Sequence, residues 1–528
     1  MMDVSMGLKI SSWKYPEKKA TIFEHGEIIK SITYKELDER VNRLANALMS
    51  FGVKKGDKVA YLTYNCLEAV EIIQALIRAG IVLVPINYRL TLENMKYIIN
   101  HCDAEVMIVE DELLGTIAPI MGDLKKIKHY IVIGEEVPSN MLSYEDFISS
   151  GSPEDPDVYI KPSDLCYIGY TSGTTGLPKG VMVSHKALLE NMRHAVMRGW
   201  SREGVNPEKR VLLVLMPLVH SNSIWSTSIT FWYGGTNVIY RAPGGKFDAE
   251  EVLRLIDKYK VTTTSVVPAM LLSMLELPDE VKKKYDVSSI ESIGSGSAML
   301  YPSTIKKVVN FFKNIRLSNS YGSTETGPVT TLRHKDIIQG RKLDTVGQVL
   351  PGIEVKILDE NGKECPPGVV GQIWVKTPMA FLGYYKDPEK TAKAIKGEWV
   401  TAGDLGWFDE DGYLHLAERS DDVIVTGGEH VASTEVENVL MEHPAVYECA
   451  VVGLPHEKWG QAVTAFVKLR EGMKASEDEL VQWCKERIAR FKAPKKIVFM
   501  DDFPRTLTGK ILKRILREQH KTLFLSSE

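Results

Sequence analysis

Apolar positions along the chain switch repeatedly between helical and strand spacing. Thr33-Tyr-Lys-Glu36 has the form of a capping box, and Leu37, Val41, Leu44, Ala45 and Leu48 follow at helical intervals until Gly52. Lys58–Leu62 reads as a strand, Leu67–Ala79 as a helix closed by Gly80, and Ile81–Pro85 as a buried strand. A helix near Asn94–Cys102 and strands at Val106–Val109 and Tyr130–Ile133 continue the rhythm. Such alternation predicts a mostly parallel sheet covered by helices. The polar stretch Gly151-Ser-Pro-Glu-Asp-Pro156 reads as a linker. Beyond it the pattern returns: strands Val211–Met216 and Thr262–Val267, and helices Ser223–Tyr233, Asp248–Tyr259 and Ile305–Phe312. The expected fold is α/β, with a large N-terminal domain of two similar α/β layers. From Gly347 the spacing becomes that of strands, and Asp359-Glu-Asn-Gly362 between Glu354–Leu358 and Val370–Val375 signals a hairpin in a small β module. A composition break at Arg419-Ser-Asp-Asp422 precedes a compact α+β unit. It holds a strand (Val423–Val425), a helix (Thr434–Met441), strands Cys449–Val452 and Thr464–Leu469, and a helix (Glu477–Ile488).

Length agrees with several modules, since 528 residues exceed one core and domains hold about 100–200 residues. Lys+Arg 65 nearly cancels Asp+Glu 69, so no basic excess points to nucleic acid. The six cysteines are scattered without a C-x-x-C pair, which suits a reducing compartment and argues against a cysteine-rich zinc site. The N-terminus lacks the apolar core of a signal peptide, and runs such as Val211–Val219 fall short of the roughly 18 residues that span a bilayer. A cytoplasmic location is the expectation. Oligomeric state, a homo-oligomer included, and peripheral membrane contact are left open.

The chemistry is concentrated in one loop. Between the strand Leu165–Tyr170 and the strand Val181–Val183 lie Thr171, Ser172, Gly173, Thr174, Thr175, Gly176, Leu177, Pro178, Lys179 and Gly180. Glycine lets backbone approach a ligand, exposed amides and hydroxyls form a nest for anionic oxygen, and Lys179 adds a positive charge suited to polyphosphate. Gly176 is followed by Leu-Pro-Lys-Gly, so this is not a Walker A loop. Ser184 is placed to cap the next helix, with Leu188, Leu189, Met192 and Ala195 on its buried face. A second cluster is Ser320-Tyr-Gly-Ser-Thr-Glu325. There Tyr321 could stack on a base beside Gly322, Thr324 donate to phosphate, and Glu325 hold Mg²⁺ through oxygen. Asp404, beside Gly403, suits ribose hydroxyls.

The string Thr-Ser-Gly-Thr-Thr-Gly-Leu-Pro-Lys-Gly resembles the phosphate loop of the adenylate-forming superfamily, in particular its AMP-dependent acyl-CoA synthetases and fatty-acid–CoA ligases. Tyr321-Gly-Ser-Thr-Glu325 resembles the family's Y-G-x-T-E motif, and Gly403-Asp404 its T-G-D motif, with Ala402 where the threonine usually stands. Arg419 matches a ribose-side arginine. Asp421 falls at the family's hinge, which implies domains over 1–420 and 421–528 and a mobile C-terminal unit. Gly427-Gly428-Glu429 resembles the turn whose second glycine, Gly428, lets the pantetheine arm of CoA pass. Pro504-Arg-Thr-Leu-Thr-Gly-Lys510 resembles the terminal motif, with Lys510 as catalytic lysine. These matches run in family order from Tyr170 to Lys510.

The resemblance implies that ATP activates a carboxylic acid to an acyl-adenylate with loss of pyrophosphate, and that the acyl group then passes to CoA. The implied catalytic residues are Lys510, Glu325, His220 and Thr324, and the cofactors are ATP, Mg²⁺ and CoA. The acid is expected near His220, Ser221 and Trp225, under Gly294, Ser295, Gly296, Ser297 and Met299. No acidic residue follows His220 where amino-acid-activating relatives place one, which argues for a simple fatty, branched or aromatic acid. Trp225 in the wall argues against very long chains. Two other classes stay open on the residues alone: an adenylating enzyme that loads a carrier protein, and a nucleotide-binding regulator without catalysis.

Overall fold

The computed structural model describes residues 4–171, 177–200, 207–298, 300–313, 315–417, 424–427, 429–505, 509 and 511–524. Among these, the strands form two large sheets of eight and nine strands, a six-stranded sheet and a five-stranded one. The larger two are the expected α/β layers. In the first, Leu165–Thr171, Val82–Pro85, Lys58–Leu62, Val106–Glu110, His129–Ile133 and Leu142–Ser143 run parallel. In the second, Arg316–Ser323, Ser292–Ser295, Thr263–Val266, Val211–Val214, Thr236–Tyr240 and Lys19–His25 run parallel. Val82–Pro85 and Thr236–Tyr240 are buried along their whole length, as strands covered on both faces must be.

Local signals behave as their chemistry requires. Glu36 N donates to Thr33 Oγ1 at 3.3 Å and Thr33 N to Glu36 Oε2 at 2.8 Å, completing the capping box of helix Tyr34–Ser50. Helix Leu67–Ala79 ends on Gly80 at φ +63°, a left-handed cap natural to glycine. Ser184 Oγ accepts from Ala187 N at 3.1 Å, at the start of helix His185–Trp200.

Three features depart from the sequence reading. The N-terminal residues, left unassigned above, form helix Met6–Lys14 and a hairpin, Lys19–His25 with Ile28–Thr33, that extends the second sheet. The polar stretch at 151–156 is no free linker. Its carbonyls at Gly151, Ser152, Pro153 and Glu154 accept from Arg43, Asn46 and Asn42 on helix Tyr34–Ser50. Its polarity serves this docking. The short strand Gly383–Tyr384, also unassigned above, crosses to the first sheet and pairs with Lys179–Ser184.

The β module is the six-stranded sheet, with Glu354–Leu358 antiparallel to Gly371–Lys376. The small domain is built on Val446–His456 and Gly460–Leu469, flanked by helices Ser433–Met441, Glu477–Lys485 and Lys513–His520. No helix among the described residues is long and apolar enough to cross a membrane.

Candidate active site

Each large sheet carries, beyond its last parallel strand, a chain reversal that holds one of the motifs. In the first sheet Leu165–Thr171 turns back into Lys179–Ser184, with Thr171 opposite Lys179. In the second, Arg316–Ser323 turns back into Gly327–Leu332, with Ser323 opposite Gly327. Both turns lie at the carboxyl ends of parallel strands, where open α/β sheets gather ligands. The Thr324-Glu325-Thr326 turn is tied by Ser323 N to Thr326 Oγ1 at 3.1 Å and Thr326 N to Ser323 Oγ at 3.3 Å. A Cβ on Gly322 would meet Gly327 O at 2.3 Å, so a side chain there would wedge the hairpin open.

The second turn adjoins the strand that leads into the first. A Cβ on Gly169 would lie 3.5 Å from Thr324 Cγ2, so the motif threonine abuts the strand that feeds the phosphate loop. Glu325 is buried and its Oε1 accepts from Tyr384 Oη at 3.0 Å. Lys179 Nζ stands over the same tyrosine ring, 5.2 Å from its centroid. Tyr321 Oη donates to Asp404 Oδ2 at 2.9 Å, so the base-side and ribose-side candidates form one unit. Gly403 adopts φ +87°, and its N–H donates to Thr401 Oγ1 at 3.0 Å, so a threonine one place upstream of Ala402 shapes this turn.

Among the residues expected to line the acid pocket, His220 precedes helix Ser221–Tyr233 and Asn87 Nδ2 lies 3.5 Å from its Nε2. Removal from water, helped by the nearby Arg89 guanidinium, pushes the imidazole pKa down to about 4. The ring is therefore neutral at pH 7. Trp225 packs against the main core, and Ser221 lies beside the buried Tyr167. Gly294 and Ser295 end strand Ser292–Ser295, and Ser295 stands beside Val266 in register. A Cβ on Gly296 would press on Ser320 O at 3.1 Å, and Ser297 adopts φ +67°, unusual for a residue with a side chain.

Ten site residues of the sequence reading fall outside the described residues: Ser172, Gly173, Thr174, Thr175, Gly176, Met299, Arg419, Asp421, Gly428 and Lys510. The neighbours of Lys510 are described. Gly509 sits at φ +80°, its carbonyl accepts from Arg505 Nη1 at 3.1 Å, and a Cβ on it would lie 3.5 Å from Val267 Cγ2. Val267 follows strand Thr263–Val266, so the lysine-bearing loop reaches the strand end beside Ser295. The neighbour of Gly428 is described too: Gly427 N donates to Trp459 O at 2.8 Å. The Trp459 ring has Lys495 Nζ at 5.5 Å and Lys458 Nζ at 5.9 Å from its centroid.

Sequence reasoning passes over Tyr384 and Trp459. The Gly383-Tyr-Tyr-Lys386 run was visible, but nothing in its spacing says that it crosses to the phosphate-loop strand. Trp459 lies in a polar run, His456-Glu-Lys-Trp-Gly460, that resembles any hairpin tip.

Residues 9–385 match the model of the AMP-binding enzyme family, and residues 435–510 match that of the AMP-binding enzyme C-terminal domain. A long-chain-fatty-acid–CoA ligase of Thermus thermophilus is 32% identical over 99% of this chain and 97% of its own length. The fatty acid–[acyl-carrier-protein] ligase ScoC of Streptomyces coeruleorubidus is also 32% identical, over 93% of this chain and 92% of its own. Among solved structures, the anthranilate CoA ligase AuaEII in complex with anthranoyl-AMP superposes with a TM-score of 0.90 at 28% identity, covering 99% of this chain and 98% of that one.

Proposed function

The chain belongs to the AMP-binding enzyme family, and on that premise we propose that it is an AMP-forming carboxylate–CoA ligase of the cytoplasm. A carboxylate is a poor acyl donor because its oxygen does not leave. Attack of that oxygen on the α-phosphorus of ATP expels pyrophosphate and gives the acyl-adenylate. The thiolate sulfur of CoA then attacks the acyl carbon and AMP departs. The first step brings two anions together, so the enzyme's main work is neutralising charge at fixed positions.

The phosphate loop and Lys179 hold the outer phosphates, and Thr324 donates to phosphate oxygen. Asp404 takes the ribose hydroxyls while its other oxygen is held by Tyr321. Glu325 fits Mg²⁺: it is a hard oxygen donor whose Oε1 accepts from Tyr384, while Oε2 accepts no hydrogen bond from the described residues. When bound, the ion neutralises phosphate charge. Neutral His220 can hydrogen-bond the acid's carboxylate without fixing it as an ion pair, which leaves the oxygen nucleophilic. Lys510 stabilises charge as carboxylate and α-phosphate meet. In the second step the Gly428 turn admits the pantetheine arm, with Trp459, Lys458 and Lys495 flanking its path. We place the hinge at Asp421, between a large domain over 1–420 and a small one over 421–528. The acid pocket is bounded by His220, Ser221, Trp225 and the 294–299 segment.

The observation that carries this reading is the junction of the Thr324 turn with the strands that flank the phosphate loop: Thr324 against Gly169, with Tyr384 touching both Glu325 and Lys179. The test is a panel of fatty, branched and aromatic acids assayed with ATP and CoA. Stoichiometric AMP, pyrophosphate and CoA ester support it; ADP in place of AMP overturns it. The 32% identity to ScoC favours a second reading, transfer to a carrier protein. Turnover with purified protein and free CoA alone decides between them.

A further inference from the structure

Tyr170 is the last aromatic residue of the strand that feeds the phosphate loop, and it stands opposite Gly180 on the return strand. A Cβ on Gly180 would lie 3.2 Å from Tyr170 Cζ and 3.2 Å from Tyr385 Cβ, so both tyrosines crowd over that glycine. Tyr170 Oη lies 2.8 Å from Nδ1 of His101, the last residue of helix Leu92–His101. Tyr385 N donates to Gly180 O at 2.7 Å, and Tyr385 Oη donates to Asp103 Oδ2 at 2.6 Å. The strand entering the loop and the strand leaving it are therefore tied, through two phenols, to one short turn over residues 101–103.

That turn is itself held. The His101 ring stacks on Tyr97 at 5.1 Å and meets Tyr385 edge-on at 5.6 Å. Lys386 Nζ donates to His101 O at 2.9 Å and to Asp103 Oδ1 at 2.8 Å, and Lys126 pairs with the same carboxylate. Burial, with the Lys386 ammonium nearby, lowers the His101 pKa, so at pH 7 its bond to Tyr170 joins two uncharged groups.

We propose that residues 101–103 form a clamp on the base of the phosphate loop, and that His101 and Tyr170 are positioning residues for the outer phosphates of ATP. Between Thr171 and Lys179 the sequence has two glycines, two threonines and a serine. A chain of that composition has many conformations to lose when it closes on an anion. Fixing its two ends lowers that loss, and the gain appears as affinity for the groups that the loop grips. His101 and Tyr170 act through the strand rather than on the nucleotide.

This proposal rests on the reading of the loop as the grip on the outer phosphates. The test is calorimetric binding of ATP and of AMP to the full chain, for the parent, Tyr170→Phe, His101→Phe, the double variant, His101→Asn and Lys179→Ala. Each phenylalanine keeps an aromatic ring and removes one partner of the 2.8 Å contact. ATP affinity is expected to fall about three- to tenfold in either, the scale of one hydrogen bond between neutral groups. AMP lacks the outer phosphates and should bind within about twofold of the parent, which also reports that each variant is folded. The double variant should bind ATP like either single one, because both remove the same bond. Asparagine places an amide near the position of Nδ1 and should recover most of the loss. The KM for ATP in pyrophosphate release should rise by the same factor, with kcat within about twofold. Equal weakening of ATP and AMP, losses that add in the double variant, or parent ATP affinity in both phenylalanine variants would overturn the clamp. If Lys179→Ala leaves ATP affinity at the parent value, the reading of the loop is what fails.

Discussion

The two halves of the large domain meet differently from the way the large domain meets the small one. Between the two large sheets lies one apolar seam. Ile72, Ile73 and Leu76 of helix Leu67–Ala79 share it with Ile224 and Phe231 of helix Ser221–Tyr233, and with Leu83 and Ile239 from the opposing sheets. Three polar contacts cross inside it: Asn65 Nδ2 donates to Tyr240 O at 3.0 Å, Asn65 Oδ1 accepts from Leu218 N at 2.8 Å, and Tyr61 Oη donates to Leu218 O at 2.9 Å. The small domain touches the large one, among the described residues, mainly through polar contacts around Leu272. Tyr301 Oη donates to Glu437 Oε2 at 3.2 Å, Ser273 Oγ lies 3.4 Å from Tyr447 Oη, and Arg470 pairs with Glu276. Each Ile or Leu fully buried in the seam contributes about 1.5–3 kcal/mol, against about 0–1 kcal/mol for an exposed ion pair. The seam joins the two sheets that carry the motifs. The polar interface is of the kind that lets domains reorient. A site for two successive steps needs both.

The sharpest test of the contrast uses the small domain's own loop. Lys510→Ala is expected to slow pyrophosphate release about 10²–10³-fold, the usual consequence of removing one group that stabilises developing charge. CoA-ester formation from supplied acyl-adenylate should stay near the parent rate. Gly428→Leu should do the reverse, keeping pyrophosphate exchange and losing the ester. Equal loss of both half-reactions in either variant would mean that one arrangement serves both steps.

Breaking the seam should act on both steps alike. Asn65→Ala removes partners from Met216 O, Tyr240 O and Leu218 N, all in the interior. Urea unfolding is expected to show a loss of about 2–4 kcal/mol, from carbonyls and an amide left without partners. The ratio of the two half-reaction rates should be unchanged. A changed ratio would show that the seam also takes part in the switch.

The contrast also explains what could be read from sequence. Helices with a capping box at Thr33 or a glycine cap at Gly80 were legible because their signals are local. So were the two motif turns, whose glycines and hydroxyls lie within a few residues of one another. Long-range placement was not legible. The strand at 383–384 joins a sheet whose other members end about two hundred residues earlier, and Tyr384 meets Glu325 only through that pairing. The stretch at 151–156 has a linker's composition, yet its carbonyls are claimed by Asn42, Arg43 and Asn46, more than one hundred residues away. The N-terminal hairpin is short, and its second strand is mostly exposed, so periodicity gave it no buried face to report.

A smaller effect comes from His220, which precedes helix Ser221–Tyr233 of the seam. Its folded pKa of about 4 lies below the ordinary 6.5, so between these values the unfolded chain binds a proton that the folded chain refuses. Stability from this group is complete above about pH 6.5 and is lost as pH falls through that window toward 4. Between pH 7 and pH 5 the loss should be about 1–2 kcal/mol, allowing for partial solvent access. His220→Gln should flatten that part of the pH–stability curve. A curve unaltered by the substitution would mean that the imidazole is not held neutral.

The smallest expected change in stability is at Glu276, and it bears most directly on the comparison. Glu276 projects from the turn after helix Pro268–Leu275, next to Leu272, and meets Arg470 at the end of strand Gly460–Leu469. The carboxylate keeps about a third of its exposure, 32%, so water screens the pair. Glu276→Gln should therefore cost less than about 1 kcal/mol in unfolding. Its effect on the reaction should be lopsided. The pair belongs to the arrangement in which Gly509 lies against Val267, so, on the roles proposed above for Lys510 and Gly428, loosening it should weaken the first step and spare the second. A few-fold fall in adenylate formation, with thioester formation from supplied adenylate equal to or faster than the parent, is the expected outcome. The sum of stability and rate data then separates a latch from a prop. A prop would lower both half-reactions with the folded fraction, whereas a latch shifts the balance between them while the fold stands.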